Sequence, residues 1–292
     1  MQENEKVLQL TYGKMAGIHW VNDACNQGMP MLALHGWLDN AMSFSPIAHS
    51  LIQVTPDFMA VDLPGHGRSD HREQGNHYHF VDYVFDVLEC VAQLGWNRFV
   101  LIGHSMGAGI ASLIAAVAPE LVSHLILIDG IGPLSSHAGG VTDQLEKSIR
   151  SYQRMTPRLK QMTYPNWDAL IKRRAKIGNI NHKAAELLVK RNAKQDDGEI
   201  IWLADRRLNC LSPIYMAEQQ VLSFLSRIEA TTLLVKAKQG LLNQRATTLE
   251  RITAVSKLEV VELSGGHHLH MENPEQVAAQ VIRFLHSGRQ SD

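Results

Sequence analysis

Gly103-His104-Ser105-Met106-Gly107 sets a serine between two glycines, after the apolar run at 98–102 and before the small-residue stretch GAGIASLIAAVA. A serine on a sharp strand-to-helix turn holds its hydroxyl above the end of the strand, in a strained backbone conformation that flanking glycines tolerate. The chemistry open to it is attack on an acyl carbon, given a base to take its proton and donors to hold the oxyanion. The N–H of Met106, at the head of the following helix, is one such donor. A second is expected from an earlier strand. PMLALHG runs apolar into His35-Gly36-Trp37; Gly36 permits close approach of the backbone, and the N–H of Trp37 would face the developing charge. The bland alternative at both places is an ordinary turn at a strand end.

The base has three candidates, His267, His268 and His270, in LSGGHHLHMENPEQV. His267, directly after Gly265-Gly266 and following the last β-rich run, is best placed to fold back on the serine. The same H-H-x-H cluster is a possible metal site, but no Cys or carboxylate stands at convincing ligand spacing. Neither a metal nor an organic cofactor is expected. His77 and His79 read as helix-entry or surface residues.

These groups need a scaffold that brings strand ends together. The first 131 residues alternate apolar β-rich runs with helical patterns: PMLALHG, SFSPIAHSLIQV, DFMAVDLPGHG, then YHFVDYVFDVLECVAQLG stopped by Gly95. Alternation of this kind implies parallel strands with right-handed crossovers. From residue 132 to 226 no β-rich run is evident. That segment reads as amphipathic helices broken near Pro157, Pro165, Gly178, Gly198 and Pro213. Alternation resumes with TTLLVKAK, LEVVELSGG and the helical NPEQVAAQVIRFLHS. The expected organisation is a mostly parallel, doubly wound α/β core in two stretches, 1–131 and 227–292, with a helical insertion at 132–226.

Composition narrows the partners. With 45% hydrophobic and 20% charged residues, the 292-residue chain can bury a sizeable core. Its formal net charge of -1 gives no overall basic field for nucleic acid. The charge is unevenly spread: residues 132–225 hold 15 Lys and Arg against 9 Asp and Glu, and the rest of the chain 13 against 20. A solvated helical surface explains this, and so does a basic roof that draws in anions. Cys25, Cys90 and Cys210 are scattered and odd in number, as for reduced thiols in a cytoplasm. MQENEKVLQL is too polar for a signal peptide, and the longest apolar stretch is too short to cross a bilayer. No membrane or nucleic-acid partner is expected, and the oligomeric state is unknown.

The motifs LHGWLDNAMSF, DLPGHGRSDH, WNRFVLIGHSMGAG, LILIDGIGP and GGHHLHMENPEQV stand in the order found in the α/β-hydrolases. The chain resembles that superfamily from about residue 8 to 286, and within it is most similar to the serine hydrolase-like proteins. The resemblance implies a nucleophile at Ser105, a catalytic histidine at His267 and an α-helical cap, residues 132–226, roofing the site. It implies hydrolysis of a small-molecule ester or related acyl substrate through an acyl-serine. Thioesterase, C–C bond hydrolase and acyltransferase activities use the same groups. DLPGHGRSD, with Asp62 and His66, is by the same resemblance a structural loop shaped by Pro64, Gly65 and Gly67.

One part of the pattern is displaced. Many α/β-hydrolases carry the triad acid after the seventh strand, where TTLLVKAKQGLLNQR (231–245) offers Lys238, Gln239 and Asn243 but no carboxylate. Some place it at the end of the sixth, where Asp129 stands in LILIDGIGP. Asp129 keeps the order Ser, Asp, His along the chain and is the preferred acid. The alternative is a structural Asp129 with Asn243 facing the imidazole, as in a ligand-binding protein whose turnover is slow or lost. Trp167, Trp202 and Phe224 are candidates either to line an acyl pocket or to form the insertion's own core.

Overall fold

The computed structural model describes residues 2–25, 28–156 and 162–287. Eight strands form the central sheet: β1 (Gln2–Leu10), β2 (Gly13–Val21), β3 (Met31–Leu34), β4 (Asp57–Val61), β5 (Phe99–His104), β6 (Val122–Ile128), β7 (Thr231–Gln239) and β8 (Leu258–Gly266). Their spatial order is β1-β2-β4-β3-β5-β6-β7-β8. From β4 to β8 every pairing is parallel, and β1 and β2 close one edge antiparallel. The middle strands read as unbroken apolar runs because both faces are covered; every residue of β3 and β5 is buried.

One face carries α2 (Asp82–Leu94) and α3 (Met106–Val117), with Val87, Val91, Ile110 and Ile114 packed on Leu101 and Leu127. The other carries α1 (Ser45–Leu51) and α8 (Pro274–Ser287), with Ile47, Leu51, Val281 and Phe284 in the same cluster as Ile102 and Val235. Helices on both faces make the sheet doubly wound, as its pattern of apolar runs requires. The helical stretch closed by Gly95 is α2, and Gly95 takes a left-handed φ of 70° as its cap.

Between β6 and β7 lie α4 (Val141–Met155), α5 (Trp167–Gly178), α6 (His182–Asn192) and α7 (Glu218–Leu225). The break expected near Pro157 lies outside the described residues. The segment also contains strands that its apolar pattern does not announce. Ala193–Asp196 and Glu199–Trp202 form a hairpin, extended by Thr163–Tyr164. Gly198 is therefore not a helix break. With Asp197 at φ 45° and Gly198 at φ 81°, the pair makes the two-residue turn that Asp-Gly favours between twisted strands. Trp167 and Trp202 pack on the segment's own cluster around Leu170, Leu188 and Ile200, and Phe224 on the core cluster with Ile114.

The basic surplus of this segment meets the acidic surplus of the core. Arg191, on α6, grips Asp62 at 2.8 Å and Glu5 at 2.9 Å. Arg174, on α5, pairs with Asp39. Both arginines are buried. Part of the charge imbalance is thus complementarity across a seam.

Candidate active site

β5 ends at His104 and α3 begins at Met106, so the chain must reverse within Ser105. It does so at φ 53°, ψ −111°, far outside the ordinary basins of a serine. Such strain persists only where the surroundings impose it. Here the glycines supply the room. A Cβ on Gly103 would come within 2.6 Å of the Ala108 backbone, and one on Gly107 within 2.7 Å of the His35 carbonyl. The head of α3 therefore lies directly on the end of β3. That contact sets the head of α3 against the turn that leads to Trp37, and Ser105 stays partly exposed. Among the described residues no protein acceptor takes the Trp37 backbone N–H.

His267 follows β8 and turns its ring between two partners. Its Nδ1 lies 2.6 Å from Asp129 Oδ2, and its Nε2 2.8 Å from Ser105 Oγ. An ionised carboxylate only accepts, so Nδ1 carries the proton and Nε2 accepts from the serine hydroxyl. Asp129 leaves β6 at φ 41° and also accepts the N–H groups of Ala237, at 3.3 Å, and Leu241, at 2.9 Å. Burial would raise its carboxyl, but His267 and these two N–H groups outweigh that and hold it below its ordinary value. Burial lowers His267, against the pull of Asp129. A neutral imidazole at neutral pH is what a general base requires.

The alternative acid position resolves clearly. Asn243 donates from Nδ2 to the carbonyls of Ala237, at 3.0 Å, and Lys238, at 2.9 Å. It shapes the β7 turn. The position whose side chain would compete for the acid's space is Gly240. A Cβ there would lie 2.5 Å from Asp129 Cγ and nearer still to both oxygens.

The family model described as the α/β hydrolase fold matches residues 29–274. The chain belongs to the α/β-hydrolase family. It falls among the serine hydrolase-like proteins: it is 33% identical to one from Danio rerio, over 95% of this chain and 87% of that protein. The crystal structure of a hypothetical protein from Pseudomonas aeruginosa PAO1 is 35% identical with a TM-score of 0.86, covering 95% of this chain and 97% of that one. A thioesterase domain from the curacin biosynthetic pathway is 26% identical with a TM-score of 0.80, over 97% and 100% of the two chains.

This α/β-hydrolase has a second polar cluster that its sequence pattern did not reveal. His268 Nε2 lies 3.2 Å from Asp39 Oδ2, and His104 Nδ1 lies 3.6 Å from the same oxygen. His104 Nε2 donates to the His267 carbonyl at 2.9 Å. The histidine cluster does have a carboxylate partner, Asp39, which stands 229 positions from His268 and so escapes any reading of local spacing. Asp39, His104 and His268 bring ligand atoms within 4.8 Å of one another, a set a divalent cation could use. The Arg174 guanidinium already supplies positive charge to that carboxylate. Burial alone would raise Asp39; His268, His104 and Arg174 together hold it well below the usual carboxylate range.

Asp62 and His66 lie outside the site. Asp62 accepts the N–H groups of Ala41 and Arg68, each at 2.8 Å, and binds Arg191. Burial drives His66 down to about 3, so it is a neutral packing residue. Among the described residues no helix is long and apolar enough to cross a membrane.

Proposed function

We propose that this protein is a serine hydrolase that cleaves a small-molecule ester or related acyl compound through an acyl-serine intermediate. The observation that carries the reading is the unbroken hydrogen-bonded chain Ser105–His267–Asp129 at 2.8 and 2.6 Å. Ser105 Oγ attacks the acyl carbon while His267 Nε2 takes its proton. The tetrahedral oxyanion is held by the N–H groups of Trp37 and Met106. His267 then protonates the leaving group, and afterwards takes a proton from the water that frees the acid. Asp129 keeps the proton of the resting imidazole on Nδ1 and stabilises the imidazolium. None of these steps calls on a cofactor. Residues 1–131 and 227–292 are the catalytic core in this reading, and 132–226 the cap. Three scattered cysteines, odd in number, suit a reducing compartment such as the cytoplasm.

A thioester is the second substrate class, favoured by the likeness to the curacin thioesterase domain. An acid in hydrogen-bond reach of His267 weighs against a binding-only protein. The test is labelling with a fluorophosphonate followed by peptide mapping, with a panel of p-nitrophenyl esters and acyl-CoAs. Modification at Ser105 with turnover of either class is expected. A folded protein that leaves Ser105 unmodified and turns over neither class refutes the reading.

A further inference from the structure

The turn after β3 is held in a conformation it would not choose alone. Leu38 sits at φ 60°, in the left-handed region that a leucine rarely enters without being held there. Leu38 follows Trp37, whose N–H is one oxyanion donor of the proposed mechanism. The core holds this turn through the Asp39 N–H and His35 Nδ1, which donate to the Gly36 carbonyl at 3.1 and 2.7 Å, and through His268 Nε2, 3.2 Å from Asp39 Oδ2. The segment between β6 and β7 supplies three contacts. Trp37 Nε1 donates to the Leu208 carbonyl at 3.0 Å, Asn40 Nδ2 donates to the Leu188 carbonyl at 2.8 Å, and Arg174 pairs with Asp39.

Of these three, Arg174 is the contact with charge. Asp39 and Arg174 are only 1% and 8% exposed, so the pair is scarcely screened by water. Asp39 also gathers His268 and His104, and His104 holds the His267 carbonyl. One ion pair therefore lies beneath both the oxyanion turn and the loop that carries the base. Fastening the segment to the core does not require it. Arg191 already bridges to Asp62 and Glu5, Asn192 Oδ1 accepts the Gly67 N–H at 2.8 Å, and Tyr78 donates to Asp205 at 2.8 Å.

The helix carrying Arg174 is shaped around it. Gly178, the last residue of α5, faces the guanidinium. A Cβ there would overlap one guanidinium nitrogen and come within 3.1 Å of Cζ. A glycine at this place gives up helix propensity and in return leaves the space the guanidinium occupies.

We propose that Arg174 is a positioning residue: through Asp39 it holds the Gly36–Asn40 turn so that the Trp37 N–H meets the oxyanion, which makes the oxyanion hole a joint product of core and cap. The inference rests on the acyl-transfer reading of Ser105. A purely structural ion pair would change stability and leave the chemical step alone. A positioning pair changes kcat and the affinity for tetrahedral adducts, and changes KM little.

The test compares wild type, Arg174→Met, Arg174→Lys and Gly178→Ala. Each is assayed for kcat and KM on p-nitrophenyl butyrate, for inhibition by an alkyl boronic acid that forms a tetrahedral adduct on serine, and for Tm. Gly178→Ala displaces the guanidinium while keeping every charge and improving helix propensity. Arg174→Met and Gly178→Ala are expected to lose between about tenfold and a hundredfold in kcat. They should lose boronate affinity in step, with KM within about threefold, and Arg174→Lys should recover part of the loss. Gly178→Ala keeps every charge and gains helix propensity, which offsets part of the cost of the displaced ion pair, so it should do this as a folded protein and covers the case of an Arg174→Met protein that does not fold. Wild-type kcat and boronate affinity in folded Gly178→Ala and Arg174→Met overturn the proposal. So does a loss confined to KM. A wild-type enzyme inert to esters, boronate and fluorophosphonate alike refutes the reading of the site itself, an outcome distinct from variants that match an active wild type.

Discussion

Gly240→Ala adds one methyl group at the place where the proposed acid is most closely enclosed. The new Cβ would stand 2.5 Å from Asp129 Cγ, whereas ordinary contact begins near 3.4 Å, so the carboxylate must retreat by about 0.9 Å. It cannot do so and keep its bonds, since Oδ2 is shared between His267 Nδ1 at 2.6 Å and the Leu241 N–H at 2.9 Å. A displacement of about 1 Å in a catalytic constellation costs roughly a hundredfold in rate, or about 2.7 kcal/mol in the barrier. Complete loss of the acid, about ten-thousandfold, is the ceiling. The backbone adds no penalty, because Gly240 sits at φ −85°, ψ 177°, where alanine is at ease. KM should change little, since Asp129 meets the far side of the imidazole from Ser105. Steady-state hydrolysis of p-nitrophenyl butyrate reads kcat, and a thermal melt shows that the protein is folded. A folded Gly240→Ala enzyme with kcat within about threefold of wild type refutes the reasoning. The converse change provides a second check. Asp129→Gly combined with Gly240→Asp moves the carboxylate from the end of β6 to the turn after β7. It should recover at least about tenfold in kcat over Asp129→Gly alone, because the two side chains compete for one space.

Further outcomes follow from the same geometry. Asp129→Asn should lower kcat by about three to four orders of magnitude. Asn243→Ala should leave kcat within about threefold and cost about 1 kcal/mol of stability in urea unfolding, because its amide bonds only the carbonyls of Ala237 and Lys238. In the pH profile of kcat/KM, burial depresses His267, so activity should rise through an acid limb centred below the ordinary imidazole value of about 6.5. The hydrogen bond and charge of Asp129 pull the other way, so Asp129→Asn should move that limb further towards acid. A limb centred above 6.5 in the wild type would contradict a desolvated base.

Much of this was legible in the chain because it is carried by local pattern. Ser105 stands in a strand–turn–helix passage whose glycines have a steric reason to be there, and His267 follows a glycine pair at a strand end. Asp129 was legible more weakly, through resemblance and the lack of any other carboxylate near the seventh strand. What escaped is non-local. Arg174 meets Asp39 from 135 positions away, and no periodicity marks it. Gly240 looks like any turn glycine until the carboxylate of another strand is placed beside it. The hairpin at 193–202 was hidden for a different reason. Its strands are four residues each, the first mostly polar and the second with only three apolar residues in a row, so neither alternation nor an apolar run was long enough to exceed the helical signal of the flanking segments, and only Asp197-Gly198 marked the turn.

The displaced acid follows from how β6 and β7 lie. They are parallel neighbours, paired up to Ile128 and Val235, and the Asp129 N–H still donates to the Val235 carbonyl at 2.9 Å. Strand ends side by side are only about 4.8 Å apart, so a carboxylate leaving either one can reach the same ring nitrogen. The strand that does not carry the acid still has to receive it. Here β7 and its turn give the N–H groups of Ala237 and Leu241 to the carboxylate and keep Gly240 without a side chain beside it. In the proposed mechanism the strand and turn of β7 therefore take a share in the acid's function without containing an acid. That share is two backbone donors that lower the carboxyl, and a space the size of a side chain. A charged residue brought to Asn243 would restore neither. It would set a carboxylate against the two carbonyls that the Asn243 amide now satisfies, while the acid at Asp129 kept its place at the imidazole.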